Sequence, residues 1–111
     1  MIKLTVLEFE RFCKENKYNQ FIFNLCDQVE KFTGVGNCSA SMRFANVAAF
    51  PCPDTIYFTS KYKETYISFT NVIRIEFEEG EGGITNSAMI ICRDESAKNG
   101  ENRFYLIVDK K

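Results

Sequence analysis

The sequence predicts an α+β domain in which an N-terminal helix packs on a curved antiparallel β-sheet of about six strands. Closure of that sheet into a small barrel is left open. Three observations carry the prediction. A helix-start signature, Thr5 followed by Glu8, precedes one short apolar stripe. From Phe21 onward the apolar period changes from that of a helix to two. Eleven phenylalanines and five tyrosines, with no tryptophan, supply much of the apolar bulk, a composition that favours strands.

Thr5 and Glu8 form a T-x-x-E capping box, and Leu4 before the cap can pack on Phe9 as a hydrophobic staple. Val6, Phe9, Phe12 and Cys13 then recur at helical spacing, with Glu8, Arg11 and Glu15 left toward water. The pattern fades at Asn16 and Lys17. Phe21, Phe23 and Leu25 alternate with Ile22, Asn24 and Cys26 as a strand. Asp27 to Phe32 fits a helical turn or a strand continuation, and Gly34-Val35-Gly36-Asn37 ends it either way. From Cys38, the residues Cys38, Ala40, Met42 and Phe44 lie on one side and Ser39, Ser41 and Arg43 on the other.

Pro51-Cys52-Pro53-Asp54 is a stiff connection, because each proline fixes its own backbone and restricts the residue before it. Ile56 and Phe58, with Ser60 beyond them, oppose Tyr57, Thr59 and Lys61 in the next strand. Lys61 to Lys63 turns the chain into Thr65, Ile67 and Phe69. Thr70-Asn71 breaks that register, after which Ile73, Ile75 and Phe77 carry an apolar face and Arg74 and Glu76 point away. Ile67, Phe69, Ile73, Ile75 and Phe77 are therefore the expected core of this part. Glu79 to Asn86, with three glycines, reads as a mobile loop. Ala88 to Cys92 and Arg103 to Val108 are the last two strands, joined by a polar link.

The 111 residues, 45% apolar, fit one domain over positions 1–111 with a single core. Fourteen bases against fifteen acids leave a formal charge of -1, too little to steer the chain onto nucleic acid or an anionic membrane. Charges are scattered through Met1 to Asn16, unlike a signal peptide, and no run approaches the roughly 20 apolar residues of a membrane helix. The expectation is a soluble, cytoplasmic protein with no membrane contact. Cys13, Cys26, Cys38, Cys52 and Cys92 are odd in number and lack a C-x-x-C pair, so they read as reduced small hydrophobes.

Two constellations stand out. Glu76, Glu78, Glu79 and Glu81 form the strongest local charge signal, and Glu76 and Glu78 share a strand face about 7 Å apart. They read either as a solvated end that guards a sheet edge or as a contact for a basic protein partner. The spacing gives no clear metal site, and no metal or cofactor is expected. Tyr57, Lys61, Tyr62, Lys63 and Tyr66 gather around one hairpin, with the chemistry to stack bases and meet phosphates. The same residues are also ordinary cross-strand packing. With no histidine in the chain, neither the carboxylates nor Cys52, the one thiol expected near the surface, has the usual catalytic companion. No catalytic residues are assigned, and the chain is not expected to be an enzyme.

The run I-S-F-T-N-V-I-R-I-E-F, Ile67 to Phe77, is similar to hairpins of pleckstrin-like and SH3-like binding modules. By size and by abundant Lys, Asn, Ile, Phe and Tyr, the chain resembles small proteins of phages and mobile elements from AT-rich bacteria. The anti-CRISPR and other anti-defence inhibitors are among these. The resemblance implies a phage-encoded inhibitor acting in the host cytoplasm. The expected function is a non-enzymatic binding protein that covers a protein target, with Glu76, Glu78, Glu79 and Glu81 at the contact. The alternative is a small nucleic-acid or nucleotide-binding β-barrel using the tyrosine and lysine hairpin. A homodimer through a sheet edge is also considered, with Arg103 to Val108 as that edge.

Overall fold

In the computed structural model, which describes residues 1–24, 41–81 and 85–110, helix α1 spans Val6–Glu15. The Thr5 hydroxyl accepts from the Glu8 N–H at 3.2 Å, and the Glu8 carboxylate accepts from the Thr5 N–H at 2.9 Å. These bonds hold the Glu8 carboxyl below its ordinary pKa, the backbone one contributing most. Two of the donors that every helix start leaves orphaned are thus satisfied. The helix ends just as locally: Lys17 takes a left-handed φ of 58°, and the Tyr18 N–H donates to the Cys13 carbonyl at 2.9 Å. This is a Schellman closure with lysine where glycine is usual. Val6, Phe9 and Cys13 are buried, as the stripe predicts.

Nine strands occur among the described residues: β1 Ile2–Leu4, β2 Gln20–Asn24, β3 Ser41–Phe44, β4 Asn46–Pro51, β5 Asp54–Thr59, β6 Tyr66–Phe69, β7 Val72–Glu78, β8 Asn86–Arg93 and β9 Glu101–Asp109. They form two antiparallel sheets in place of one. The larger has the order β1-β7-β8-β9-β2-β3 and the smaller β4-β5-β6. The sheets do not close into a barrel. Two corners divide them: the chain bends at Ala45 between β3 and β4, and at Thr70-Asn71 between β6 and β7, where Asn71 has φ 54°. Strands that change sheet at a bend are how two crossed sheets share one core.

The expectations for Leu25, Cys26, Asp27 to Phe32, Gly34 to Asn37 and Cys38 to Ala40 lie outside the described residues, as does the middle of the Glu79 to Asn86 connection. Three other expectations are corrected. Ile73 is 39% exposed while Val72 is buried, because the β7–β8 register shifts between Val72 and Arg74. That bulge inserts one residue and turns the side chains over. Arg103 to Val108 is no edge: β9 lies between β8 and β2. Two strands escape the pattern altogether, β1, which pairs Ile2 with Phe77 and Leu4 with Ile75, and β4.

The core is built of rings. Phe21 and Phe23 on β2 meet Phe58 on β5, each at 5.2 Å between centroids, and Phe23 also stacks on Phe69 at 5.6 Å. Burying a large apolar side chain contributes about 1.5–3 kcal/mol, so this cluster dominates the contact between the sheets. Beside it, Ala88 stands between Phe77 and Leu106 in register, a small residue that lets two large ones approach. Ile91 is fully buried outside this cluster, between Arg74 and Arg103 on the opposite face of the sheet. Glu101 forms ion pairs with both guanidinium groups there, at 3.9 and 3.7 Å.

Helix α1 packs mainly along β4, the edge of the smaller sheet. Glu10 reaches over to accept the Ala49 N–H at 2.7 Å, and Phe12 meets Phe77 edge-on at 4.7 Å. The helix therefore covers a strand edge that would otherwise be open to pairing. On the outer face of the small sheet it leaves Phe50 and Tyr66 exposed.

Candidate functional site

On that sheet the alternation of β5 places Ile56 and Phe58 inward and Tyr57 outward, and β6 likewise turns Phe69 in and Tyr66 out. Phe50, near the end of β4, completes a diagonal row across all three strands. Phe50 and Tyr57 are 5.4 Å apart in an edge-on pair, and Tyr57 and Tyr66 are 6.2 Å apart. Phe50 is 53% and Tyr66 65% exposed. Large rings arranged in contact with one another and still facing water are costly to leave uncovered.

The β5–β6 connection extends the row. The Ser60 hydroxyl accepts from the Glu64 and Thr65 N–H groups at 3.0 and 3.1 Å, and the Lys63 N–H donates to the Ser60 carbonyl at 2.9 Å. This one serine holds Lys61, Tyr62 and Lys63 at the tip, with Lys63 at a left-handed φ of 60°. Tyr62 is 74% exposed, and the Lys61 ammonium lies 5.5 Å from the centre of its ring. Asn46 ties the tip to β4 by donating to the Ser60 carbonyl at 3.0 Å. Beside it a depression of about 430 Å³ is lined by Arg43, Lys61, Asn46, Gln20 and Ile22. Tyr57 and Tyr66 thus stand with Phe50 on one face, Lys61, Tyr62 and Lys63 form the tip of the adjoining hairpin, and Lys61 shares the depression with Arg43.

The acidic end is less united. Glu76 has a side chain only 10% exposed and lies 3.7 Å from the Arg74 guanidinium, engaged within the sheet face. Glu78, Glu79 and Glu81 are exposed and line a separate depression of about 450 Å³ with Thr85 and Ser87. Asn86 shapes this end: its carbonyl accepts from the Gly80 N–H at 2.8 Å while its amide donates to the Tyr18 hydroxyl at 3.1 Å. Burial, with the nearby Glu79 charge, raises the Tyr18 pKa. Among the described residues no three His, Cys, Asp or Glu side chains gather as metal ligands.

Phe50, Arg43 and Asn46 were beyond the reach of hairpin reasoning, since they come from β3 and β4 and join the surface only through the corner at Ala45. The one available signal was Phe50 beside Pro51, a large ring next to a residue that cannot continue a central strand.

Cys52 occupies the tip of the β4–β5 hairpin and is exposed, whereas Cys13 and Cys92 are buried, their thiols pushed up to about 12 and about 11 by desolvation. Of these three, Cys52 alone should label with iodoacetamide in the native protein, with Cys13 and Cys92 modified only after denaturation. Peptide mapping of the alkylated protein checks this, and early labelling of Cys13 would contradict the packing of α1. No protein-family model, curated protein or solved structure shows significant similarity to the chain.

Proposed function

We propose that this protein is a non-enzymatic binding protein that covers a surface of a larger protein target with the outer face of its three-stranded sheet. The row Phe50, Tyr57 and Tyr66, continued by Tyr62, carries the reading. Aromatic side chains are the commonest anchors of protein interfaces, because a rigid ring buries much area for little lost rotamer freedom. The lysines and Arg43 at one end supply the polar rim. Occlusion of a target is also how an inhibitor works. The compositional resemblance to anti-defence proteins supports a phage-encoded inhibitor acting on a bacterial target in the host cytoplasm.

The test is quantitative capture from host lysate on immobilised protein, comparing wild type with a Phe50→Ala, Tyr66→Ala double variant and a Glu78→Lys, Glu79→Lys, Glu81→Lys triple variant. A partner held by the rings should fall by about 30-fold or more in the ring variant, the loss that accompanies about 2 kcal/mol. Retention there with loss in the glutamate variant would move the contact to the acidic end. Retention in both would remove both surfaces.

A second reading is favoured by the basic depression beside the rings: single-stranded nucleic acid, with phosphates at Arg43 and Lys61 and bases on the tyrosines. Fluorescence anisotropy with a labelled single-stranded oligonucleotide separates the two. This reading requires affinity that falls steeply with salt and with Lys61→Ala.

A further inference from the structure

We propose that β6 is a self-pairing edge, through which two copies of this chain join their three-stranded sheets into one of six strands. The inference comes from how the sheet edges are guarded, and it stands independently of the target-binding reading. Four strands end a sheet among the described residues: β1 and β3 in the larger, β4 and β6 in the smaller. Open edges invite pairing with another chain, and proteins block them with charge, proline, bulges or a covering element. β4 is covered by α1, has its Ala49 N–H taken by Glu10, and ends in Pro51. β1 has Lys3 at its centre and β3 has the exposed Arg43. Among the described residues β6, Tyr-Ile-Ser-Phe, has none of these devices and pairs only with β5, without a register shift.

The same comparison selects a second copy as the occupant. Antiparallel self-pairing sets residues around a two-fold axis opposite their own equivalents, so a central charge meets itself. On β1 that charge would be Lys3 and on β3 Arg43, and like charges directly opposite are destabilising. β6 is the one of the three without a charge. Because opposed residues must share a face, an axis at Ile67 sets Ile67 against Ile67, half-buried on both copies. It also sets the exposed Tyr66 beside the exposed Ser68 of the other copy. The backbone then continues the ladder, and the hydroxyl at Ser68 leaves room for the ring. Both outer faces stay on the same side, so two Phe50-Tyr57-Tyr66 rows join into a single aromatic surface.

The pairing is short, and association is expected only toward the weak end of specific affinity, at protein concentrations approaching about 1 mM. Sedimentation velocity and equilibrium over a concentration series test it. Wild type should shift from monomer toward dimer. Ser68→Lys, on an exposed site, should remain monomeric at the highest concentration with an unchanged thermal midpoint. Ser41→Lys on the β3 edge should dimerise as wild type does. A wild type that stays monomeric throughout, or a dimer that survives Ser68→Lys, would overturn the proposal.

Discussion

Phe58→Ala should cost about 3–5 kcal/mol, the range for removing a large ring from a packed core. Set against the total of about 5–15 kcal/mol typical of such domains, this removes a large share of the stability. The reason lies in what the ring touches. Phe58 is fully buried on β5 and meets Phe21 and Phe23 on β2 of the larger sheet and Phe69, at 6.2 Å, on β6 of its own. Truncation leaves a void bordered by three other rings whose strands are fixed by their ladders, so collapse around it is limited. At about 4 °C or more per kcal/mol for a chain near this size, the thermal midpoint should fall by more than about 12 °C. Phe50→Ala, on the neighbouring strand of the same sheet but facing water, should stay within about 0.5 kcal/mol of wild type. Equal midpoints for Phe58→Ala and wild type would mean that the two sheets are not joined by this cluster.

Glu10→Ala is expected to lose about 1.5–3 kcal/mol, the contribution of a hydrogen bond to a charged group. Very little of this should come from the 3.7 Å ion pair to Lys14, whose ammonium end stands mostly in water. What matters is the 2.7 Å bond from the Ala49 N–H, the link by which the helix closes the β4 edge. Glu10→Gln keeps an acceptor oxygen on a side chain of the same length and should recover part of the loss. Lys14→Ala should cost little. Urea denaturation of the three variants decides between these contributions, and a Glu10→Ala protein as stable as Lys14→Ala would show that the edge bond is dispensable.

Features set by neighbours in sequence were legible. The capping box and the buried stripe of α1 depend on residues a few positions apart, the apolar runs of β8 and β9 on adjacent ones, and each is present. The corner at Thr70-Asn71 was also readable, since asparagine tolerates the left-handed conformation found there. What failed was set by distant parts of the chain. β1 is a strand because β7 is there to receive Ile2–Leu4, and three residues carry no period. In β4, Val47, Ala48 and Ala49 are all half-buried, because the helix lies along the edge while β5 takes the other side. Neither face is clearly apolar, and alternation never appears. Ile73 misled because a bulge leaves no trace in a run such as I-R-I-E-F.

The candidate site divides along the same line. Tyr57, Lys61, Tyr62, Lys63 and Tyr66 belong to one hairpin and could be grouped from their order alone. Phe50 and Arg43 arrive from elsewhere. The glutamates looked like a set because they are close in sequence, yet a strand face is shared with its neighbours, and Arg74 claims Glu76 before any partner can.

The order of strands in the larger sheet makes the chain indivisible. Among the described residues β9 is the only strand joining β1-β7-β8 on one side to β2-β3 on the other. A truncation before Glu101 would therefore remove more than the last strand. It would part the β2-β3 pair from the three strands β1-β7-β8, and leave two new raw edges, on β8 and β2, facing a gap where Leu106 and Val108 had been. No shorter piece ending before Glu101 can retain this sheet, and fragments meant to isolate the aromatic face must carry the last strand with them.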